Sequence, residues 1–175
     1  PLKIKEMYKR FLVFVAVIII SQACTISYKF NGATLDYNIY KTISISNFPI
    51  RAALVYPPLQ QTFENKLINM VTRQTRLQTI DSNNSDLRME GEITGYSLSP
   101  QAVTEDAYAS KTRLTITVRV KYMNSKEPAQ DVDQTFSAYK DFTSTELLTD
   151  VQDELCNQIC DELVDLIFNA TLGNW

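Results

Sequence analysis

The sequence predicts an α+β domain in which two helices pack on one face of a four-stranded, mostly antiparallel sheet. The predicted order is β-α-β-β-β-α. Three observations lead to this class. Four segments alternate apolar and polar residues as strands do, and two others repeat apolar residues at helical spacing. Each strand also has a single apolar face, which is typical of a sheet covered on one side and hydrated on the other.

The N-terminal stretch has the parts of an export signal. Lys9 and Arg10 precede ten uninterrupted apolar residues, 11–20, and the small residue Ala23 stands directly before Cys24. A basic region, a short apolar region and a small-residue cleavage site together form a secretory signal. The apolar run is shorter than the roughly 20 residues that span a bilayer.

We therefore predict a lipoprotein signal peptide over residues 1–23, with Met7 as the start and the residues before it as read-through. The thiol of Cys24 is the predicted site of lipid attachment. Ser21 and Gln22 depart from the preferred residues of a lipoprotein cleavage site. An ordinary secreted protein cut nearby, or a short anchor helix, is the alternative.

Residues 24–40 are polar and aromatic and are predicted to form a tether, with an irregular first strand as the alternative. A single α+β domain is then expected over residues 41–175. The 152 residues from Cys24 onward are enough for one domain with a real core.

The predicted elements follow in order along this domain. The final helix is expected to begin with a capping box, Thr143 to Glu146, and to end at Gly173. The predicted strands are 41–48, 87–99, 111–124 and 132–142, and the first helix extends from Pro58 to about Arg76. A loop over Pro100–Ala109 is long enough to be functional.

Composition excludes several classes of function. The chain has no histidine, the commonest general base and zinc ligand, and only four glycines, with no phosphate-loop motif. Removal of residues 1–23, with four cations and one carboxylate, leaves 13 basic and 19 acidic residues, which argues against nucleic acid as a partner. No carboxylate pair or nucleophile motif stands out. We predict that the protein is not an enzyme and that it has no catalytic residue, no metal and no cofactor.

Cys156 and Cys160 are four residues apart, beside the apolar stripe of the last predicted helix. Two thiols alone do not complete a tetrahedral zinc site, and helix geometry disfavours a disulfide at this spacing. We predict two small buried core residues.

One predicted strand has a basic outward face. Its cations are Lys111, Arg113, Arg119 and Lys121. Ion pairs with Glu90 and Glu92 of the preceding strand are one interpretation. The other is a binding surface for an anionic, phosphate-bearing ligand.

Four strings resemble the lipopolysaccharide-assembly lipoprotein family LptE, in its Bacteroidota form. They are KTISISNFP at 41–49, EGEITGYSLSPQAV at 90–103, RLTITVRVKYMN at 113–124 and NATLGNW at 169–175. Together with the predicted lipidated cysteine they extend over essentially the whole mature chain.

The resemblance implies a non-enzymatic lipoprotein on the periplasmic face of the outer membrane. Such a protein plugs the LptD β-barrel, helps it assemble and can bind lipopolysaccharide. Of the family's residues, only Cys24 is carried over by motif. The partner surface is expected to include strand edges, the loop Pro100–Ala109, Tyr96 and Tyr108. The alternatives are a free periplasmic lipid- or glycan-binding lipoprotein with its ligand between helices and sheet, and an anchored hydrolase.

Overall fold

The computed structural model of the protein describes residues 35–54, 56–101 and 110–173. The signal peptide, Cys24 and most of the predicted tether lie outside these residues. The elements in chain order are β1 (Thr42–Ile45), α1 (Pro58–Gln74), β2 (Gln78–Thr79), β3 (Leu87–Gln101), β4 (Lys111–Asn124), β5 (Val132–Thr143) and α2 (Leu148–Thr171), with a short 3-10 helix at Pro128–Gln130. The α+β class is confirmed.

The predicted sheet of four mostly antiparallel strands is wrong in two respects. Within the described residues the sheet has five strands, in the order β2-β1-β3-β4-β5. It is mixed, because β1 runs parallel to both β2 and β3, whereas β3, β4 and β5 form an antiparallel meander.

The missed strand, β2, gives no sequence signal. It has two residues, Gln78 and Thr79, and both are exposed. Because no apolar residue of this strand enters the core, it has no alternation to detect. Backbone pairing with Thr42 and Ile43 alone defines it.

β4 organises the core. Its bounds agree with the predicted ones, and its inward side chains are all buried: Leu114, Ile116, Val118, Val120 and Tyr122. They belong to one hydrophobic cluster with the inward residues of β3, β5 and both helices. The outward residues of the strand are exposed or half-buried. The predicted alternation is confirmed.

Phe48 connects α1 to the sheet. Its ring lies edge-on to that of Phe63 in α1, with the centroids 5.2 Å apart, and its backbone N–H donates to Oε1 of Glu64 at 2.7 Å. Gly91 of β3 provides the space for this ring. A Cβ added at Gly91 would lie 2.6 Å from Cε1 of Phe48 and 2.1 Å from the backbone oxygen of Arg119.

The last helix begins later than predicted. Thr143 is still part of β5, paired with Lys111, and the N-cap position of the helix is Leu147. Its backbone N–H does donate to Oε2 of Glu146 at 3.1 Å, which is half of the predicted capping box. α2 begins at Leu148 without a side-chain cap and ends at Thr171, two residues before Gly173.

Asp86 fixes the chain where it enters the sheet. One carboxylate oxygen accepts from the backbone N–H groups of Lys41 and Thr42, at 2.8 and 3.1 Å, and from the Thr42 hydroxyl. The other oxygen lies 2.9 Å from Nζ of Lys126. This ammonium group, followed by the Lys41 N–H, holds the pKa of Asp86 well below its usual range. We call this set of contacts the Asp86 clamp.

We expect Gly91→Ala to lower the free energy of unfolding by about 1–3 kcal/mol, because the added methyl group overpacks the site between Phe48 and the neighbouring strand. Chemical denaturation measures the change. Ser97→Ala, on the exposed face of the same strand, is the matched control and should stay within about 0.5 kcal/mol of the parent. Equal stability of the two variants would contradict this account of Gly91.

We expect Asp86→Asn to destabilise the domain at neutral pH by about 1–2 kcal/mol, since it removes charge-assisted hydrogen bonds. The folded pKa of Asp86 is depressed, so its contribution is complete above the unfolded value of about 3.9. The contribution is lost as the pH falls through the folded pKa. The difference between parent and variant should therefore shrink below about pH 4. Denaturation curves at several pH values test this, and a pH-independent difference would contradict it.

Candidate functional site: the outward face of the sheet

The structure brings the four predicted cations onto one surface. The residues Lys111, Arg113, Arg119 and Lys121 all occupy outward positions of β4, between β3 and β5. Both helices pack on the opposite side, where the buried residues of the strand lie. We call this surface the outward face. It is the part of the sheet that no described element covers.

Arg113 is held from two sides. Its Nε and Nη2 donate to the two oxygens of Asp141 in β5, at 2.7 and 3.0 Å. Its guanidinium carbon also lies 3.6 Å from the ring centroid of Tyr139. The hydrogen-bonded pair raises the pKa of Arg113 and lowers that of Asp141. The stacked, bidentate geometry fixes both planar groups against the sheet.

Arg119 forms a second bidentate pair. Its Nε and Nη2 donate to the oxygens of Asp133, at 2.9 and 2.8 Å. Both side chains are about half exposed. The hydrogen bonds raise the pKa of Arg119 and lower that of Asp133, so both groups stay charged at neutral pH.

The predicted ion partners were wrong. Glu90 and Glu92 lie opposite Lys121 and Arg119 in the β3–β4 register, but the carboxylates that bind the arginines come from β5. For Arg113 the register explains this, because Ser99 lies opposite it on β3 and Asp141 on β5. For Arg119, Glu92 adds only a longer-range charge.

Lys111 and Lys121 differ from the arginines. Both are exposed, and neither forms an ion pair within the part of the chain that the structure describes. Between the two arginine pairs the face is lined by hydroxyl groups, and those of Thr117 and Ser137 lie 2.6 Å apart. The outward face is therefore a polar surface with balanced charge rather than a uniformly cationic one.

Two tyrosines, Tyr96 and Tyr108, were predicted to lie at the partner surface, and the structure describes the first of them. Tyr96 is buried, and its hydroxyl accepts a hydrogen bond from Gln152. Burial raises its pKa to about 12. Tyr108 and residues 102–109 of the predicted loop lie outside the described residues. Tyr139, for which the sequence predicts no role, is 48% exposed on the outward face. Its position in the alternation of β5, facing away from Phe136 and Ala138, was the available signal.

Cys156 and Cys160 are buried, free thiols, as predicted. Burial raises the pKa of Cys156 to about 11 and that of Cys160 to about 12, so neither is a thiolate at neutral pH. The described residues contain no group of three or more Cys, Asp or Glu side chains placed to hold a metal ion. Neither described helix is long and apolar enough to cross a membrane.

These features define what the outward face can do chemically. It offers hydroxyl groups and two fixed guanidinium–carboxylate pairs, which suit hydrogen bonding to a polar, hydrated surface. Each arginine of β4 is already neutralised by a carboxylate, so attraction of an anion by this strand depends on its two lysines.

We expect the double variant Asp133→Asn/Asp141→Asn to bind polyanions more strongly, because it leaves both guanidinium groups without a counter-charge. The variant should elute from an immobilised polyanion at a higher salt concentration than the parent protein. Its melting temperature should fall only modestly, because the Arg119–Asp133 pair is half exposed and only the bidentate Arg113–Asp141 pair is partly shielded from solvent.

The matched control is Asp150→Asn/Asp165→Asn, which makes the same change in net charge on exposed positions of α2. Equal elution of the two double variants would show that net charge alone governs binding and that the aspartates do not mask the arginines.

Comparison with known proteins adds the family. A family model described as LptE, lipopolysaccharide-assembly, matches residues 40–171. No curated protein matches the sequence significantly. Among solved structures, a minor lipoprotein from Acinetobacter baumannii has 15% identity and a TM-score of 0.53, covering 78% of this chain and 95% of its own. A protein from Xanthomonas campestris has 11% identity and a TM-score of 0.50, covering 77% and 85%.

At these identities the solved structures show a shared fold. The family match, in contrast, covers residues 40–171. It therefore includes every described strand and helix. The chain belongs to the LptE family of lipopolysaccharide-assembly proteins.

Proposed function

We propose that this protein is an outer-membrane lipoprotein subunit of the lipopolysaccharide translocon. In this proposal Cys24 carries the lipid and the domain lies on the periplasmic face of the membrane. The domain acts as plug and assembly partner of the LptD β-barrel. The observation that carries the proposal is the family match over the whole described fold. The role is one of assembly and binding rather than of catalysis.

The outward face supports the plug role. Large outer-membrane barrels have polar interiors lined by alternate strand residues. A domain inserted there must present a polar surface, because a polar lumen does not reward the burial of apolar side chains. The hydroxyl groups and paired ions between Arg113 and Arg119 have this character.

The packed core favours the role of barrel plug over that of a free lipid- or glycan-binding carrier. A carrier with its ligand between helices and sheet needs an apolar cavity there. In the described residues that space is occupied by one continuous cluster of side chains, including Phe48, Phe63 and Ile159, each fully buried. Opening a site of useful size would require the core to repack.

We further propose that Lys111 and Lys121 make the direct contacts to lipopolysaccharide phosphates, with Arg113 and Arg119 as less available cations. The two lysines are exposed at the two ends of the outward part of β4. The paired arginines would contribute only if the ligand displaced Asp141 or Asp133.

The lipidated protein should recover a large β-barrel in near-equal amount when it is crosslinked and pulled down from outer membranes, with mass spectrometry identifying the retained proteins. Cys24→Ser, which has no thiol to lipidate, is the control for anchoring. Recovery of the lipoprotein alone would refute the translocon role and favour the free carrier.

We expect Ser137→Arg to reduce barrel recovery several-fold while leaving the melting temperature nearly unchanged. A long cation in the middle of the outward face would obstruct a closely fitting partner surface. Asn69→Arg, at an exposed position of α1, adds the same side chain on the helical side and serves as the matched control. Equal recovery with both variants would mean that the outward face does not contact the barrel.

A further inference from the structure

A polar pocket lies at the end of the sheet where β3 begins and β4 ends. It encloses about 620 Å³ and is open to solvent. Two turns, at 83–86 and 124–126, form its walls, and Arg88, Met123 and Asp131 complete the lining. This end is also where the chain enters the domain, because the Asp86 clamp binds Lys41 here. We call it the entry pocket.

The guanidinium group of Arg88 has an unused hydrogen-bond donor in the described structure of this pocket. It lies opposite Met123 in the β3–β4 register, and its Nη2 donates to the backbone oxygen of Asn83. Its Nε is buried and has no hydrogen-bond partner within the described residues. A buried donor without an acceptor is costly. The guanidinium group that carries it lines the pocket, where an anionic ligand would stabilise its charge. Guanidinium groups bind phosphate in this manner.

The remaining charges of the pocket indicate which phosphate compound would fit. Lys126 and Asp86 neutralise each other, and Lys126 also donates to the backbone oxygen of Ile39. Asp131 accepts from the backbone N–H of Asn124 at 2.7 Å but forms no ion pair in the described residues. Among the described residues, one cation, Arg88, and one carboxylate, Asp131, are therefore left without a counter-charge in a pocket whose lining is neutral overall. A ligand that carries both signs would satisfy both groups.

We propose that the entry pocket binds a zwitterionic phosphate–amine group, as carried by a phosphoethanolamine headgroup. The phosphate accepts from Arg88, and the ammonium group pairs with Asp131. The membrane as its source rests on the proposed lipid at Cys24. The twelve residues from Cys24 to Leu35 are joined by eleven steps and span at most about 40 Å, which is the largest distance between the proposed lipid anchor and the start of the described chain.

Calorimetric titration of the full chain in a neutral detergent, with glycerophosphoethanolamine as the probe, tests the proposal. We expect saturable binding that is weakened at least tenfold by Arg88→Gln and also by Asp131→Asn. Arg73→Gln, at an exposed position of α1, is the matched control and should bind as the parent does. Met123→Trp keeps every charge and fills the pocket, so it should abolish binding even if Arg88→Gln is poorly folded.

The same titration with inorganic phosphate distinguishes the two sources of a phosphate group. Equal affinity for inorganic phosphate and glycerophosphoethanolamine would refute the zwitterion and leave a simple anion site. Native mass spectrometry of the protein extracted from membranes should show bound phosphatidylethanolamine, lost in Met123→Trp. Absence of binding in all these measurements overturns the proposal. The barrel pull-down is independent of this pocket, so its success or failure is judged separately.

Discussion

In the described part of the chain the helices cover one face of the sheet and leave the other exposed, and the rest of this structure depends on that constraint. β4 lies between two antiparallel neighbours, and its alternation sends Leu114 through Tyr122 into the core and the intervening residues outward. A shift of one residue in register would exchange these two sets, bringing Arg113 and Arg119 into the core. The burial of the inward set therefore fixes the position of every polar group on the outward face, including those that we propose to meet a partner.

The elements predicted from sequence were those whose apolar residues enter the core. β4 and α1 have enough buried positions, such as Phe63 and Leu67, for their periods to be clear. Elements defined by backbone pairing alone were missed or misplaced, because β2 buries no side chain and the start of α2 depends on how far β5 extends. The parallel pairing of β1 likewise depends on strand order, which alternation does not encode.

In the candidate site, too, the features of a single strand were predicted, and those that depend on neighbouring strands were not. The four cations of β4 were placed on one surface because a single strand determines their orientation. Their partners depend on which strands lie beside β4 and in what register, so Asp133 and Asp141 were overlooked in favour of Glu90 and Glu92. The entry pocket had no sequence signal, since Arg88 and Asp131 are 43 residues apart and meet only through two turns. Its charge balance is a property of the fold rather than of any segment.

The pairing of β1 has a consequence for the order in which the domain forms. The Asp86 clamp joins Thr42 to a residue 44 positions later, and among the described strands the partner of β1 that is nearest in sequence begins at Gln78. Closing so long a loop is slow compared with forming the β3–β4–β5 meander, whose neighbouring strands are close in sequence. The topology therefore makes the β1 edge of the sheet, together with the Asp86 clamp, the last part of the domain to form.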